Sequence, residues 1–208
     1  MSDATRVGTV VGILVGGRSS RMGGAPKGLL PAPDTGEPLV VRTARLAQAV
    51  GLRVALVGDT GPYVKSISNT PAYAKIMAEI VDISDHARNL GPLSGLAPLL
   101  AYGSVCDAIV LSCDLPHLTA RLIERLATTR HAGDVLAPKR GEAAPWEPLC
   151  ARWSATDRVR AAIDDGLARG DGSLQRVLAK LDVTRLSMSD DELRALVDWD
   201  TPGDVESR

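Results

Sequence analysis

A short apolar run at residues 10–15 passes directly into a segment with four glycines and three cationic side chains. The run is rich in β-branched residues, which predicts a strand that is buried on both faces. Glycines allow backbone N–H groups to approach an anion closely, and Arg18, Arg21 and Lys27 add positive charge to the same segment. A buried strand followed by a flexible cationic loop predicts a binding site for a nucleotide or another phosphorylated molecule.

Two well-known phosphate loops do not match this segment. Lys27 follows Pro26 and precedes Gly28, so the P-loop pattern is absent. The Gly-x-Gly-x-x-Gly fingerprint of dinucleotide-binding folds is also absent after the strand, where Gly16 and Gly17 are adjacent. The alternative is a glycine-rich connection between a core strand and a helix, whose arginines only increase solubility, because a glycine cluster by itself is a weak signal.

The length and charge of the chain narrow the class of protein. A length of 208 residues suits one α/β domain, and a formal net charge of -1 gives no support for nucleic-acid binding. The chain has no apolar run of about 18 residues and no signal-peptide pattern, which predicts a soluble cytoplasmic protein. Cys106, Cys113 and Cys150 lack Cys-x-x-Cys spacing and are predicted to be reduced thiols, and the three histidines share no metal-ligand spacing.

Strand and helix patterns alternate along the chain, which predicts an α/β fold with a mostly parallel central sheet. Strands are predicted at residues 10–15, 53–57, 80–83, 108–111, 135–138, 148–152 and 183–186. Helices are predicted at residues 39–50, 71–79, 91–102, 119–130, 154–168, 173–181 and 190–196, and a loop at residues 58–62. Because parallel strands joined by helices end at one edge of the sheet, we expect the loops after the first two strands to lie together.

Asp114 follows the predicted buried strand at residues 108–111 and is the best candidate for a metal ligand. A carboxylate at the end of a buried strand is costly unless it is paired or holds a cation. Mg²⁺ favours one or two carboxylates together with substrate phosphates, which suits a nucleotide site at this edge. The alternative is that Asp114 caps the turn before Leu115 and Pro116.

Two further segments suit the surroundings of such a site. Gly91 and Pro92 open an apolar helix, and a helix start of this kind presents backbone N–H groups to whatever binds above the sheet. Residues 141–145 are polar, which suits the rim of a site for a second substrate.

Residues 14–30 resemble the signature of nucleotidyltransferases with a nucleotide-diphospho-sugar transferase fold, Leu-Ala-Gly-Gly-x-Ser-x-Arg-Met-Gly-x-x-Lys-x-Leu-Leu. Among those proteins the chain is most similar to the molybdenum cofactor guanylyltransferase family. The signature matches at Leu14, Gly16, Gly17, Ser19, Arg21, Met22, Gly23, Lys27, Leu29 and Leu30, and Val15 replaces the usual Ala. Further matches follow at residues 91–95 (Gly-Pro-Leu-x-Gly), 113–116 (Cys-Asp-x-Pro), 148–151 (Pro-Leu-x-Ala) and 172–174.

The resemblance implies a three-layer αβα sandwich of Rossmann-like type in a single domain over residues 1–208. Residues 7–120 would bind the nucleotide and residues 121–208 the acceptor. The implied reaction is transfer of GMP from GTP to the terminal phosphate of molybdopterin, with release of pyrophosphate and with Mg²⁺ as cofactor. The implied partners are GTP and molybdopterin, and we expect a monomer or weak oligomer that binds neither nucleic acid nor membrane.

The resemblance also implies the site residues. Asp114 would hold the metal, with Asp200 as a candidate second ligand, and Arg21 and Lys27 would act with Asp114 in catalysis by neutralising the phosphates. The predicted nucleotide contacts are Leu14, Val15, Gly16, Gly17, Arg18, Ser19, Arg21, Lys27, Asp59, Asp85, Gly91, Pro92 and Leu93.

Two departures from the family pattern keep alternatives open. The family usually ends in Asn-x-Asn-Thr-Pro, whereas this chain has Asp198 and Asp200, a pattern more typical of the related cytidylyltransferases. After the second strand the family often has Asn, whereas this chain has Asp59, whose carboxylate could accept hydrogen bonds from N1–H and N2–H₂ of guanine. The paired glycines of the first loop and the Gly-Pro-Leu-x-Gly motif favour GTP. A transferase that uses CTP or another acceptor, and a non-catalytic nucleotide-binding protein, remain the alternatives.

Overall fold

Seven strands form one sheet in the computed structural model, which describes residues 8–16, 26–68, 70–84 and 90–199. The strands are β1 (Thr9–Val15), β2 (Arg53–Gly58), β3 (Ile80–Ile83), β4 (Asp107–Ser112), β5 (Val135–Ala137), β6 (Cys150–Ser154) and β7 (Val183–Arg185). Their spatial order is β3-β2-β1-β4-β6-β5-β7, and β6 runs antiparallel to both of its neighbours. All other neighbouring pairs are parallel, so the predicted mostly parallel α/β sheet is confirmed.

Helices connect these strands. They are α1 (Leu39–Ala49), α2 (Gly61–Ser68), α3 (Pro71–Ala78), α4 (Pro92–Ala101), α5 (Ala120–Thr128), α6 (Asp157–Ala168), α7 (Leu174–Leu178) and α8 (Asp190–Leu193), with 3₁₀ turns at Lys27–Leu29 and Arg194–Leu196. Side-chain hydroxyls cap the starts of α5 to α8, at Thr119, Thr156, Ser173 and Ser189. Because Thr156 is the cap, α6 begins later than the predicted residue 154. No helix within the described ranges is long and apolar enough to span a membrane.

Two apolar clusters lie on opposite faces of the sheet. Alternate residues of β1 contribute to both, with Val11 and Ile13 in one cluster and Val10 in the other. Helices α1 and α5 pack in the first cluster, whereas α4, α6 and α7 pack in the second. The core is largely aliphatic because the chain contains no Phe, and Trp153 is its largest fully buried side chain. The three-layer sandwich is thereby confirmed, while the division into halves at residue 120 stays a prediction.

Helix α2 lies where no helix is predicted from the sequence. The expected loop at residues 58–62 ends early, because α2 already begins at Gly61. Tyr63 and Ile67 lie four residues apart and are both buried, so one face of α2 packs against the core. The pair Gly61-Pro62 is typical of a turn, but proline is also tolerated in the first turn of a helix, where its missing N–H would have no partner.

Candidate active site

A large cavity opens at the carboxyl ends of β1, β2 and β4, next to the start of helix α4. Its volume is about 1110 Å³, which is ample for a nucleotide-sized ligand. The cavity is lined by Leu14, Val15, Gly16, Lys27, Val57, Gly58, Asp59, Thr60, Gly61, Tyr63, Ser84, Gly91, Pro92, Ser94, Gly95, Ser112, Cys113, Asp114 and Leu149. This is the edge at which α/β sheets bind their ligands.

Lys27 and Asp114 form an ion pair within this lining. The Nζ atom of Lys27 lies 3.1 Å from Oδ2 of Asp114, and the two side chains are 18% and 12% exposed. The hydroxyl of Ser112 donates a hydrogen bond to Oδ1 of the same carboxylate. Both oxygens of Asp114 therefore have a partner, which offsets the cost of burying the charge.

The hydrogen bonds of Asp114 bear on its two predicted roles. Its carboxylate is bonded to the side chains of Lys27 and Ser112. The next helix is capped by Thr119, whose hydroxyl accepts a hydrogen bond from the N–H of Leu122. The alternative in which Asp114 serves to cap the following turn is therefore not supported by these contacts.

Helix α4 directs its first turn at the cavity. Gly91 precedes the helix with a φ of 61°, a conformation that favours glycine, and the hydroxyl of Ser94 donates to its carbonyl oxygen over 2.7 Å. The first N–H groups of a helix have no partner within it, and its N-terminus carries a partial positive charge. Both properties favour binding of a phosphate at this place.

The ends of β1 and β2 meet beside the cavity. Gly16 has a φ of 107°, and a Cβ atom added to it would lie 3.2 Å from the backbone nitrogen of Asp59. The side chain of Asp59 is exposed and lines the cavity. The neighbouring loop is fixed by Thr60, whose hydroxyl donates to Oδ2 of Asp82 over 3.0 Å.

Cys113 and Tyr63 line the cavity without the properties of a nucleophile or a general base. Burial, and then the charge of Asp114, raise the pKa of the Cys113 thiol to about 12. Burial also raises the pKa of the Tyr63 phenol, as does Cys113, whose sulfur lies 4.0 Å from the phenol oxygen. Both groups therefore stay protonated at neutral pH. The charged side chains in the described lining are those of Lys27, Asp59 and Asp114.

The cavity brings most of the predicted nucleotide contacts together. Those in its lining are Leu14, Val15, Gly16, Lys27, Asp59, Gly91 and Pro92. Leu93 is instead fully buried, because it shares the inward face of α4 with Leu96 and Leu100. Other predicted site residues lie outside the described ranges, namely Gly17, Arg18, Ser19, Arg21, Asp85 and Asp200.

Some residues of the cavity were not predicted. Ser112 ends β4 two residues before Asp114, so its closeness in sequence to the predicted metal ligand was the signal that could have identified it. Leu149 belongs to the Pro-Leu-x-Ala match, and its carbonyl oxygen accepts a hydrogen bond from the N–H of Ser112 over 2.9 Å. Tyr63 was missed together with helix α2.

Asp198 does not line the cavity. Its carboxylate lies 3.7 Å from the guanidinium of Arg140.

The donor set fits a metal that arrives with its substrate. Among the described residues, no group of three or more His, Cys, Asp or Glu side chains could hold an ion by itself. Asp114 supplies one carboxylate, with the Ser112 hydroxyl beside it. Mg²⁺ in nucleotide sites takes one or two carboxylates and completes its shell with phosphate and water oxygens, so this set suits it.

A mostly parallel sheet with a glycine-lined cavity at its carboxyl edge, beside a helix N-terminus, is typical of nucleotide-binding proteins of the α/β class. The model of the MobA-like NTP transferase domain matches residues 11–185. A molybdenum cofactor guanylyltransferase from Pseudomonas fluorescens is 30% identical over 201 residues, which cover 96% of this chain and 93% of that protein. The chain belongs to the MobA-like NTP transferase family and is therefore a nucleotidyltransferase.

Solved structures share the fold. Molybdopterin-guanine dinucleotide biosynthesis protein A from Archaeoglobus fulgidus has a TM-score of 0.70 and 20% identity, with 94% of each chain covered. A nucleotidyl transferase from Methanothermobacter has a TM-score of 0.71 and 16% identity, with 95% of this chain and 94% of that chain covered. At these identities the likeness establishes the nucleotidyltransferase fold.

Proposed function

We propose that the chain transfers GMP from GTP to the terminal phosphate of molybdopterin and releases pyrophosphate in a reaction that depends on Mg²⁺. The name of its relatives, molybdenum cofactor guanylyltransferase, supports this choice. The observation that carries the proposal is the Lys27–Asp114 pair in a cavity of about 1110 Å³. A half-buried cation and a buried carboxylate side by side suit the complex of a divalent metal with a triphosphate.

On this proposal the triphosphate lies between Gly16 and the first turn of α4, both of which line the cavity. Lys27 then exchanges Asp114 for a phosphate oxygen, which releases the carboxylate for the metal. Arg21 and Arg18 are predicted to add further positive charge. The binding energy comes mainly from neutralising the phosphates and from backbone N–H groups at the helix start.

The transfer step needs no general base. A terminal phosphate of the acceptor has a second pKa of about 6, so it is already an anionic nucleophile at neutral pH. One of its oxygens attacks the α-phosphorus of GTP, the bond to the β-phosphate oxygen breaks, and pyrophosphate leaves with the bonding electrons. Lys27 and the first turn of α4 would hold the reacting groups in line and stabilise the developing charge.

Asp114 would hold the metal, with Ser112 keeping its carboxylate oriented. When bound, Mg²⁺ supplies positive charge to the α-phosphate and to the leaving pyrophosphate. The high pKa of the Cys113 thiol makes a covalent cysteinyl intermediate an unsuitable route. The remaining contribution of the protein is therefore positioning and charge neutralisation.

The base is assigned to guanine through Asp59, whose exposed carboxylate lines the cavity. Guanine offers adjacent N1–H and N2–H₂ donors that one carboxylate can accept, whereas cytosine offers only its N4–H₂ group. CTP remains the second candidate because of the Asp198 and Asp200 pattern.

Thermal unfolding with GTP, CTP, ATP and UTP, each with Mg²⁺ at equal concentration, tests the nucleotide. A ligand at about 100 times its Kd adds about 2.7 kcal/mol of stability. For a chain of this size that corresponds to a Tm increase of about 5–10 °C. We expect the Tm to increase with GTP alone. A larger increase with CTP would show that the base is cytosine and not guanine, and no increase with any nucleotide would contradict the proposal.

Turnover tests the reaction itself. GTP labelled at the α-phosphate is incubated with molybdopterin, Mg²⁺ and the protein, and the labelled dinucleotide and pyrophosphate are measured. We expect equal amounts of the two products. Nucleotide binding without either product would support the non-catalytic alternative. Transfer to a different phosphorylated acceptor would show that molybdopterin is not the acceptor.

A further inference from the structure

Tyr63 lies under the cavity in a position that no predicted role explains. It stands in the first turn of helix α2, is 3% exposed and contributes to the cavity lining beside Gly16 and Lys27. Its raised pKa keeps the phenol neutral, so it is not a charged ligand for phosphate. At 3% exposure nearly all of its surface lies against other residues, so its role is sought in those contacts.

The ring of Tyr63 is packed against the backbone next to Lys27. A Cβ atom added to Gly28 would lie 2.8 Å from Cε1 of Tyr63 and 3.1 Å from Cβ of Cys113. Real Cβ atoms do not come so close, so the glycine is what allows the ring to lie there. The position of the 3₁₀ turn that carries Lys27 is therefore set by the ring below it.

The phenol oxygen of Tyr63 adds a second point of contact. It lies 4.0 Å from the sulfur of Cys113, which stands next to Asp114. The backbone N–H groups of Gly28 and Gly16 also face it, and they partly oppose the effect of burial on its pKa. Tyr63 thus contacts the end of β1, the turn that carries Lys27 and the residue before Asp114.

We propose that Tyr63 is the positioning residue of the ion pair: its ring holds the Gly28 backbone so that the amine of Lys27 stays beside Asp114. The effect of Tyr63 on nucleotide binding rests on the proposed function. Its effect on the position of the Lys27 amine is independent of that function. The ring supplies the main effect, so phenylalanine should replace tyrosine well and leucine should replace it poorly.

The first test measures the Lys27 amine directly, without a ligand. Each folded variant is treated briefly with an amine-acetylating reagent, and the modification of individual lysines is followed by mass spectrometry. In Tyr63→Leu we expect acetylation of Lys27 to be about threefold faster or more, with the smaller coupling energies of contacting residues taken as the scale. Tyr63→Phe should stay close to the wild-type rate, and so should the matched control Tyr102→Leu, whose ring is 38% exposed.

A second variant reaches the same contact from the other side. Gly28→Ala places a methyl group against the ring and should also accelerate acetylation of Lys27, even where Tyr63→Leu proves too unstable to study. Far-UV circular dichroism reports whether α2 stays intact, and Lys65, which is exposed on that helix, is the internal standard for the reagent and should keep its wild-type rate. Unchanged Lys27 rates in both variants, or equal increases at Lys65 and Lys27, would overturn the proposal.

The third test asks whether Tyr63 acts through Lys27 in nucleotide binding. The Kd for GTP with Mg²⁺ is measured for Tyr63→Leu, Lys27→Met and the double variant. Each substitution should raise the Kd for GTP. Because both act through the same contact, the Kd of the double variant should be lower, by about threefold or more, than the product of the two separate fold-increases predicts. Independent losses would overturn the positioning role. If no nucleotide binds the wild-type chain, the proposed function fails, and the acetylation rates still decide the role of Tyr63.

Discussion

The backbone N–H of Trp199 donates a hydrogen bond to the carbonyl oxygen of Asp114 over 3.1 Å. This contact brings the last described residues of the chain to the residue that is proposed to hold the metal. The indole is 4% exposed and packs with Ala32 and Leu39. The segment that departs from the family pattern at Asp198 is thereby anchored beside the cavity by its tryptophan.

Trp199→Ala should destabilise the protein and weaken the site. Loss of a buried tryptophan typically costs about 3–5 kcal/mol, and here it also frees the segment that contacts Asp114. The free energy of unfolding in urea and the rate of nucleotidyl transfer are the measurements. Val197→Ala is the matched control, because this side chain in the same segment is 43% exposed and should have little effect. Equal stability of the two variants would contradict the anchoring role.

Asp114→Asn should lower the transfer rate by about 10²–10³ while the fold is kept, since removal of a preorganised charge from an active site has this effect. Steady-state transfer at saturating GTP and Mg²⁺ measures it. Asp107→Asn is the control, because Asp107 stands at the other end of the same strand, where it accepts a hydrogen bond from Ser154. Near wild-type turnover of Asp114→Asn would remove this residue from the proposed mechanism.

Most strands and helices were predictable because hydrophobic periodicity can be read from residues that are close together in the sequence. Buried strands and amphipathic helices have different periods, and the capping hydroxyls mark helix starts. The direction of β6 was not predictable, since alternation along a strand is the same in parallel and antiparallel pairs. Helix α2 was hidden because Gly61-Pro62 has the composition of a turn, although Tyr63 and Ile67 have helical spacing.

The site was predictable only where a local pattern marks it. Lys27 and Asp114 each stand in a recognisable motif, but the motifs are far apart in sequence and give no indication that the two side chains touch at 3.1 Å. The same holds for Tyr63, whose contact with Gly28 exists only after α2 has packed. Contacts of this kind depend on tertiary packing, which periodicity along a single chain does not encode.

Asp59→Ala should weaken GTP binding by about tenfold and reduce the preference for GTP over CTP, since a lost hydrogen bond to a charged group costs about 1.5–3 kcal/mol. Competition binding of the two nucleotides with Mg²⁺ measures both effects. Asp59→Asn is the informative control, because an amide retains one acceptor and should fall between the wild type and the alanine variant. Unchanged GTP affinity in Asp59→Ala would remove this residue from base recognition.

The three thiols should differ in reactivity. Cys106 is exposed, whereas Cys113 and Cys150 are buried, and burial is the main cause that raises the pKa of each buried thiol to about 12. Because the thiolate is the reactive form, only Cys106 should react rapidly with a disulfide reagent at pH 8. All three should react after unfolding, and Cys106→Ser should abolish the rapid phase. Rapid reaction of a second thiol in the folded protein would contradict the packing around the cavity.

Glu192 should make the stability of the C-terminal helical region depend on pH. A hydrogen bond from Arg125, and then one from the N–H of Ser189, hold the pKa of this carboxyl below its ordinary value of 4.5. A carboxyl with a lowered pKa in the folded state stabilises the protein above its ordinary pKa, and this contribution is lost as the pH falls through the lowered value.

Glu192→Gln should therefore reduce the free energy of unfolding by about 1–2 kcal/mol at pH 7, since it removes a charge-assisted hydrogen bond within a helix cap. The difference from the wild type should shrink as the pH falls below the ordinary pKa of 4.5 and should disappear as the pH falls through the lowered pKa of the native carboxyl. Urea unfolding at several pH values measures this. Glu142→Gln, whose side chain is 89% exposed beside Arg185, should change stability little at any pH. A difference for Glu192→Gln that does not change as the pH falls from 7 through the acid range would show that the charge of Glu192 does not contribute.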